Sequence, residues 1–271
     1  MGGKVILTKK LAQTLEISEI EVLKSRLTAI QAIEGNLMGV EIKYFGNATA
    51  FSVKNIPGPS FNTVKGLSDG DEKYIEPIIH FYKQKDIPVR LELTPGHISS
   101  DLLTYLSNAG FYQHDFHTTL YSELSPQHET SIHPKIKVRE LHKNEFDLFA
   151  EIYTKGFGMP AFLKNGVAQN NQILNDNENW TFYLASIEDK PAGIGVLFTK
   201  NGIGTLAAAT TLPEFRNQGI QTALIKLRMQ TALEQECKLI IGQATFGSVS
   251  QNNMERAGMR IGYTKAIWTM K

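Results

Sequence analysis

Cysteine is nearly missing from this chain. Cys237 is the one example in 271 residues, so no intramolecular disulfide can form, and the usage fits a reducing compartment. Long apolar runs are missing too: no stretch approaches the roughly 20 residues that span a bilayer. The opening MGGKVILT lacks the charged-then-apolar pattern of a secretion signal, and Ile6 stands where an acylated Gly2 would call for Ser or Thr. Charge of one sign is also lacking. With 28 Lys plus Arg against 27 Asp plus Glu, there is no basic excess to argue for nucleic acid or an anionic membrane. Zinc-ligand spacing does not occur, and His114 and His117, three apart in an alternating segment, point to opposite faces, so no metal is expected. These absences leave a cytoplasmic protein whose partner is a small molecule or another protein, with an oligomer possible.

What is present is an ordinary globular composition, 42% apolar and 20% charged, in a chain long enough for two domains. Residues 8–34 have helical spacing, with Ile20, Leu23, Leu27 and Ile30 on one stripe. GVEIKYFGNATAFSVKNI alternates around Gly46 and Asn47 as a hairpin does. Strand, helix, strand, helix and a long alternating strand follow. LSPQHETSIHPK is polar with two prolines and reads as a linker. After it the order recurs: a strand at IKVREL, a helix carrying Phe146, Phe149 and Ile152, an amide-rich helix, a hairpin turning at DKPAG, and then strand, helix, strand, helix, strand. SSDLLTYLSNAGF in the first half matches SVSQNNMERAGM in the second in length and in its Ala-Gly end. The expected division is a tandem duplication with domains at 1–125 and 136–271 joined by a linker at 126–135.

The second half holds the stretch with the most chemistry, GTLAAATTLPEFRNQGIQTALIKLRMQTAL. It reads as a strand of small residues, a turn at Pro213, a loop of Arg216, Asn217, Gln218 and Gly219, and a helix opened by Ile220, Gln221 and Thr222. Apolar Ala223, Leu224 and Leu227 continue the helical spacing, with Lys226, Arg228 and Gln230 between them. Free backbone N–H groups and the positive end of a helix dipole at such a loop suit an anion. In the first half the equivalent stretch has Asp69, Asp71 and Glu72, which would repel one.

PEFRNQGIQTAL resembles the pyrophosphate loop of the GCN5-related N-acetyltransferase (GNAT) superfamily: Arg216 and Gly219 match, and Gln221 stands where the family has Gly or Ala. The resemblance implies an α/β fold of two tandem GNAT-like domains, each a mixed, mostly antiparallel twisted sheet flanked by helices, with the first copy degenerate. It implies acetyl-CoA as co-substrate and an amine of a small molecule or protein as acceptor. Residues 210–212 (Thr210, Thr211 and Leu212) would contact the pantetheine arm, beside an alanine run that equally suits tight packing. Ser250 and Asn253 would close the arm's other side, or else simply begin a helix. Met254 occupies the place of the family's usual Tyr acid, so the candidates for acid and base are Tyr263, Glu151 and Tyr153. The other reading is a CoA-binding regulatory or scaffold protein without catalysis.

Overall fold

The computed structural model describes residues 6–56, 58–126 and 134–270, and it separates into two compact units. In the first, helix α1 (Lys9–Gln31) begins where the Thr8 hydroxyl accepts the Leu11 N–H, relieving one of the unpaired donors of a helix start. Its buried stripe is Leu15, Leu23, Leu27 and Ile30. Strands β1 (Val40–Phe45) and β2 (Ala48–Val53) form the hairpin expected around Gly46 and Asn47, with Phe45 opposite Ala48. Then come β3 (Thr63–Lys65), α2 (Ile75–Lys83), β4 (Arg90–Leu93), α3 (Ser100–Asn108) and β5 (Phe111–Glu123), which leaves the first unit after Thr119. Pro77 sits in the first turn of α2, where a helix has no use for its missing N–H.

The second unit contains β6 (Ile136–Glu140), α4 (Phe146–Gly156), α5 (Lys164–Gln172), β7 (Trp180–Ile187), β8 (Lys190–Lys200), β9 (Ile203–Thr211), α6 (Ile220–Glu234), β10 (Leu239–Thr245), which leaves it after Gln243, and α7 (Val249–Arg256). The β7–β8 turn falls on Glu188 and Asp189, both at positive φ, one step before the expected DKPAG; Lys190 already pairs with Ile187. Aromatic edges fill the core under β7: Phe182 meets Phe146 at 5.1 Å and Phe149 at 5.4 Å between ring centroids. No helix among the described residues is long and apolar enough to cross a membrane.

The last strand, β11 (Arg260–Met270), departs from the expected division. From Ile261 it belongs to the first unit, where it pairs antiparallel with β4 through Ala266 and Leu93 to Thr269 and Arg90. The compact units therefore do not follow the division into 1–125 and 136–271, and most of the expected linker, residues 127–133, lies outside the described residues. The repeat survives in the pairing pattern. The strand order is β1-β2-β3-β4-β11-β5 in one unit and β10-β9-β8-β7-β6 in the other. Each contains one parallel pair with a helix between its strands, β3 with β4 and β9 with β10. Each is thus a mixed, mostly antiparallel sheet flanked by helices.

In the first unit the parallel pairing is a single step, Val64 with Leu91. The next residues, Lys65 and Glu92, form an ion pair, and Lys265 of β11 reaches Glu92 at 2.8 Å. Glu19 of α1 joins both lysines and accepts the hydroxyls of Thr119 and Tyr263. All four charged side chains are buried, and they balance. Burial alone would raise both carboxyls, but Lys265 and Lys65 outweigh it, holding Glu19 below and Glu92 well below the usual range. Removing one member leaves an uncompensated buried charge, so Lys265→Met should cost about 3–5 kcal/mol in urea denaturation. The wild type should keep this contribution above the unfolded carboxyl value of about 4.3 and lose it as pH falls through the depressed folded values. A denaturation midpoint unchanged by Lys265→Met would show that the network is not stabilising.

Candidate functional site

In the second unit the parallel pairing also stops early. β10 and β9 run in register from Leu239 with Ile203 to Gly242 with Leu206, although β9 continues to Thr211. From Ala207 onward that edge of β9 has no partner in β10. On the other edge β8 pairs throughout, with one irregularity: Val196 faces Ala208 and Leu197 faces Leu206, so Ala207 is the extra residue of a β-bulge. The Leu212 N–H bonds the Ala192 carbonyl at 2.9 Å, which sets the phase of the ladder. Even-numbered residues from Ala208 on turn their backbone groups toward β8, so the N–H and C=O of Ala209 and Thr211 face the open edge. Ala207, Ala208 and Ala209 are half-buried, which favours an approachable edge over core packing for the alanine run. The topologically equivalent place in the first unit holds Lys65 and Glu92 instead.

The loop at the end of β9 begins with a short 3-10 turn at Pro213–Phe215. Asn217 and Gly219 have φ of 62° and 88°, and they turn the chain into α6. The first helical N–H bonded back is that of Ala223, to the Gly219 carbonyl. The N–H groups of Gly219, Ile220, Gln221 and Thr222 therefore have no carbonyl of their own helix to bond, and no side chain caps the start. Arg216 to Gly219 are exposed, as is Thr222, while Ile220 is buried and anchors the turn. Exposed, unbonded amides at a helix start are a backbone arrangement that suits an anion.

The side chains differ from expectation. Arg216 turns inward: its Nη2 donates to the Gly156 carbonyl at 2.9 Å and its Nε to that of Thr211 at 3.4 Å. It ties the loop to the end of α4 and to β9. The Gln218 amide donates to the Glu214 carbonyl and that of Gln221 to the Thr211 hydroxyl, at 3.3 and 3.0 Å. Gln221 thus supports the strand end. Thr210, Thr211 and Leu212 are buried, and Thr210 packs on Gly156, where a Cβ would collide with its hydroxyl and methyl. In the first unit the acidic counterparts are structural: Asp71 accepts the N–H groups of Asn47 and Ser68, and Asp69 those of Ser99, backbone and hydroxyl.

The three candidates for proton transfer separate. Tyr263 is in the first unit, 6% exposed, with its hydroxyl on Glu19 and its acidity suppressed by burial and by that carboxylate. It is withdrawn as an acid. Glu151 bonds Lys155 at 2.7 Å and Lys164 at 3.1 Å. Those bonds, Lys155's first, hold its carboxyl below the usual range, the wrong direction for a base that must accept a proton near neutrality. Tyr153 is half-buried between Phe149 and Phe157, with centroids at 5.8 and 4.6 Å, three residues before Gly156 and so on the helix face that meets β9. On α7, Ser250 is exposed and Asn253 half-buried, its oxygen accepting from Arg256 at 3.2 Å; the N-cap is Ser248. Met254 is buried against Gly242.

The helical spacing read Arg228 with Lys226 and Gln230 as falling between the apolar positions of α6, and it is 2% exposed. Burial lowers its pKa to about 10. A signal existed in AGIGVLF: two glycines on one face of a strand mark a close approach. At Gly193 a Cβ would come within 2.7 Å of Ile220, and at Gly195 within 3.2 Å of the Arg228 Nε.

Residues 143–258 match the model of the acetyltransferase (GNAT) family. No curated protein matches the chain. Among solved structures, a conserved protein of unknown function from Staphylococcus epidermidis shares 15% identity with a TM-score of 0.64, over 89% of this chain and 96% of that one. A GCN5-related N-acetyltransferase from Kribbella flavida shares 12%, again at 0.64, over 91% and 95%. A tandem GNAT protein from the clavulanic acid biosynthesis pathway shares 12% at 0.62, over 94% and 95%. At such identities the likeness is one of fold. The matched residues run from just before α4 to just past α7 and contain the open edge and the loop, so the likeness to the family falls on this part of the chain. The whole chain shares the fold of these structures.

At Gly219 a Cβ would only touch Ile136 at 3.4 Å, so the cost of a substitution is the positive φ. Gly219→Val should destabilise by about 1–3 kcal/mol and, if the loop holds a phosphate-bearing coenzyme, abolish its binding in calorimetry. Binding at wild-type affinity would remove the loop from the site.

Proposed function

We propose that this protein transfers an acetyl group from acetyl-CoA directly to an amine of a small molecule or protein. The observation that carries this reading is the continuity of the open edge of β9 with the unbonded N–H groups that begin α6. An elongated ligand with an anionic end suits that surface: the amides from Gly219 to Thr222 take the pyrophosphate, and the odd-numbered backbone groups of β9 take the arm. The chain's contribution is chiefly to position two reactants. The neutral amine's lone pair attacks the thioester carbonyl carbon, the C–S bond breaks, and the departing thiolate takes a proton. We assign that proton to Tyr153. Its amine-side counterpart leaves to solvent, since Glu151 is held ionised by two lysines. The cytoplasm is the compartment that supplies this co-substrate.

The second reading, coenzyme binding without turnover, draws on the burial of Met254 and Tyr263 and on the engagement of Glu151. Calorimetry with acetyl-CoA, run beside a free-thiol release assay over a broad amine panel, separates the two. Binding with thiol release is the expected result; binding with no release on any amine favours the second reading, and no binding ends both. With an acceptor in hand, Tyr153→Phe should lower kcat by about 100-fold, the low end for a general acid. An unchanged kcat would free Tyr153 of that role.

A further inference from the structure

The guanidinium of Arg228 lies inside the second unit without a carboxylate partner among the described residues. Its Nε donates to the Leu224 carbonyl at 2.9 Å, one turn back in α6. Its Nη1 bridges the two strands, donating to the Val196 carbonyl of β8 at 3.2 Å and to the Ala208 carbonyl of β9 at 3.1 Å. Those two residues face each other at the step where the register slips around Ala207. A buried cation is costly unless its donors are met, and here three of its five N–H groups are met, one by a carbonyl of its own helix and two by carbonyls beside the bulge. Gly195, opposite Ala209, makes the room, since a Cβ there would press on both the Nε and Leu224.

The peptide between Ala208 and Ala209 is planar and trans, so its N–H points opposite to its carbonyl. With the carbonyl drawn to Arg228 on the β8 side, the Ala209 N–H is directed at the open edge. A cation on the carbonyl also polarises the peptide and strengthens that N–H as a donor. We infer that Arg228 is a positioning residue for acyl transfer: it fixes the bulge and aims a polarised Ala209 N–H at the thioester carbonyl oxygen. This inference rests on the acetyl-CoA reading. As the amine attacks, the carbonyl π electrons move onto oxygen, and a donor already aimed there stabilises that charge without reorganising. The C–S bond then breaks and the electrons return.

The test uses the full chain carrying Arg228→Gln or Arg228→Lys, with folding checked by thermal denaturation. Acetyl-CoA labelled with carbon-13 at the thioester carbonyl reports polarisation as an infrared shift of the bound band. The wild-type band should lie below that of the free compound, and Arg228→Gln should return it toward the free position. In that variant kcat should fall about 100-fold, while KM for acetyl-CoA and the Kd of CoA move less than about 3-fold. Lysine keeps the charge but lacks the planar fork that Nε anchors to Leu224, so Arg228→Lys should fall between, and it decides the matter if the glutamine variant does not fold. A folded variant with the wild-type band and kcat overturns the inference, as does a CoA affinity that falls in step with kcat. In either case the coenzyme reading stands. A wild type that binds no acetyl-CoA overturns that reading, and this inference with it.

Discussion

The structure turns on a strand that outruns its partner. β9 pairs with β10 for four residues and then continues alone along that edge. A strand edge inside a domain carries donors and acceptors that must be met by something, be it another strand, a side chain, water or a ligand. The bulge at Ala207, the small side chains that follow and the glycines of β8 all belong to this one constraint. They let the edge stay extended while α6 packs closely against the same strands. The loop after Thr211 then delivers the chain into α6 with its first amides unbonded, so two sets of unmet backbone donors lie in sequence along one path.

The same break occurs in both units and is resolved in opposite ways. In the first, the residues just past the last parallel pair are Lys65 and Glu92, and Lys265 and Glu19 complete a buried, balanced set. The charged network fills the place where the second unit presents alanines. The loop before α2 follows the same logic, since Asp69 and Asp71 satisfy backbone and hydroxyl donors internally. One copy has become self-satisfied and the other has stayed open. A repeated fold can therefore carry one open edge and one internally satisfied counterpart.

Much of this was legible in the residues. The hairpin at Gly46 and Asn47, the recurrence of strand, helix, strand and helix, and the loop at Arg216 to Gly219 all depend on local chemistry: turn residues, periodicity and positive φ. What was misjudged depended on neighbours distant in sequence. Arg228 sits between apolar positions on α6, yet it is buried because glycines in β8 clear a space for it. Tyr263 was a candidate because it is a tyrosine of the last strand and Met254 fills the usual place of the acid, but β11 pairs with β4 and carries it into the first unit. Arg216 also ties the loop to α4 and β9, a role that depends on Gly156, 60 residues earlier in the chain.

The sequence by itself determined which segments are helices and strands, that the pattern occurs twice, and that one loop carries Arg216 and Gly219 where its counterpart carries Asp69, Asp71 and Glu72. Those properties lie within a dozen residues of backbone preference and side-chain charge. Only the tertiary structure decided which strand completes which unit, where the ladder stops, and whether a charged side chain faces water or a carbonyl. Strand partners are chosen among segments far apart in the chain, and the worth of a charge depends on the medium that packing builds around it.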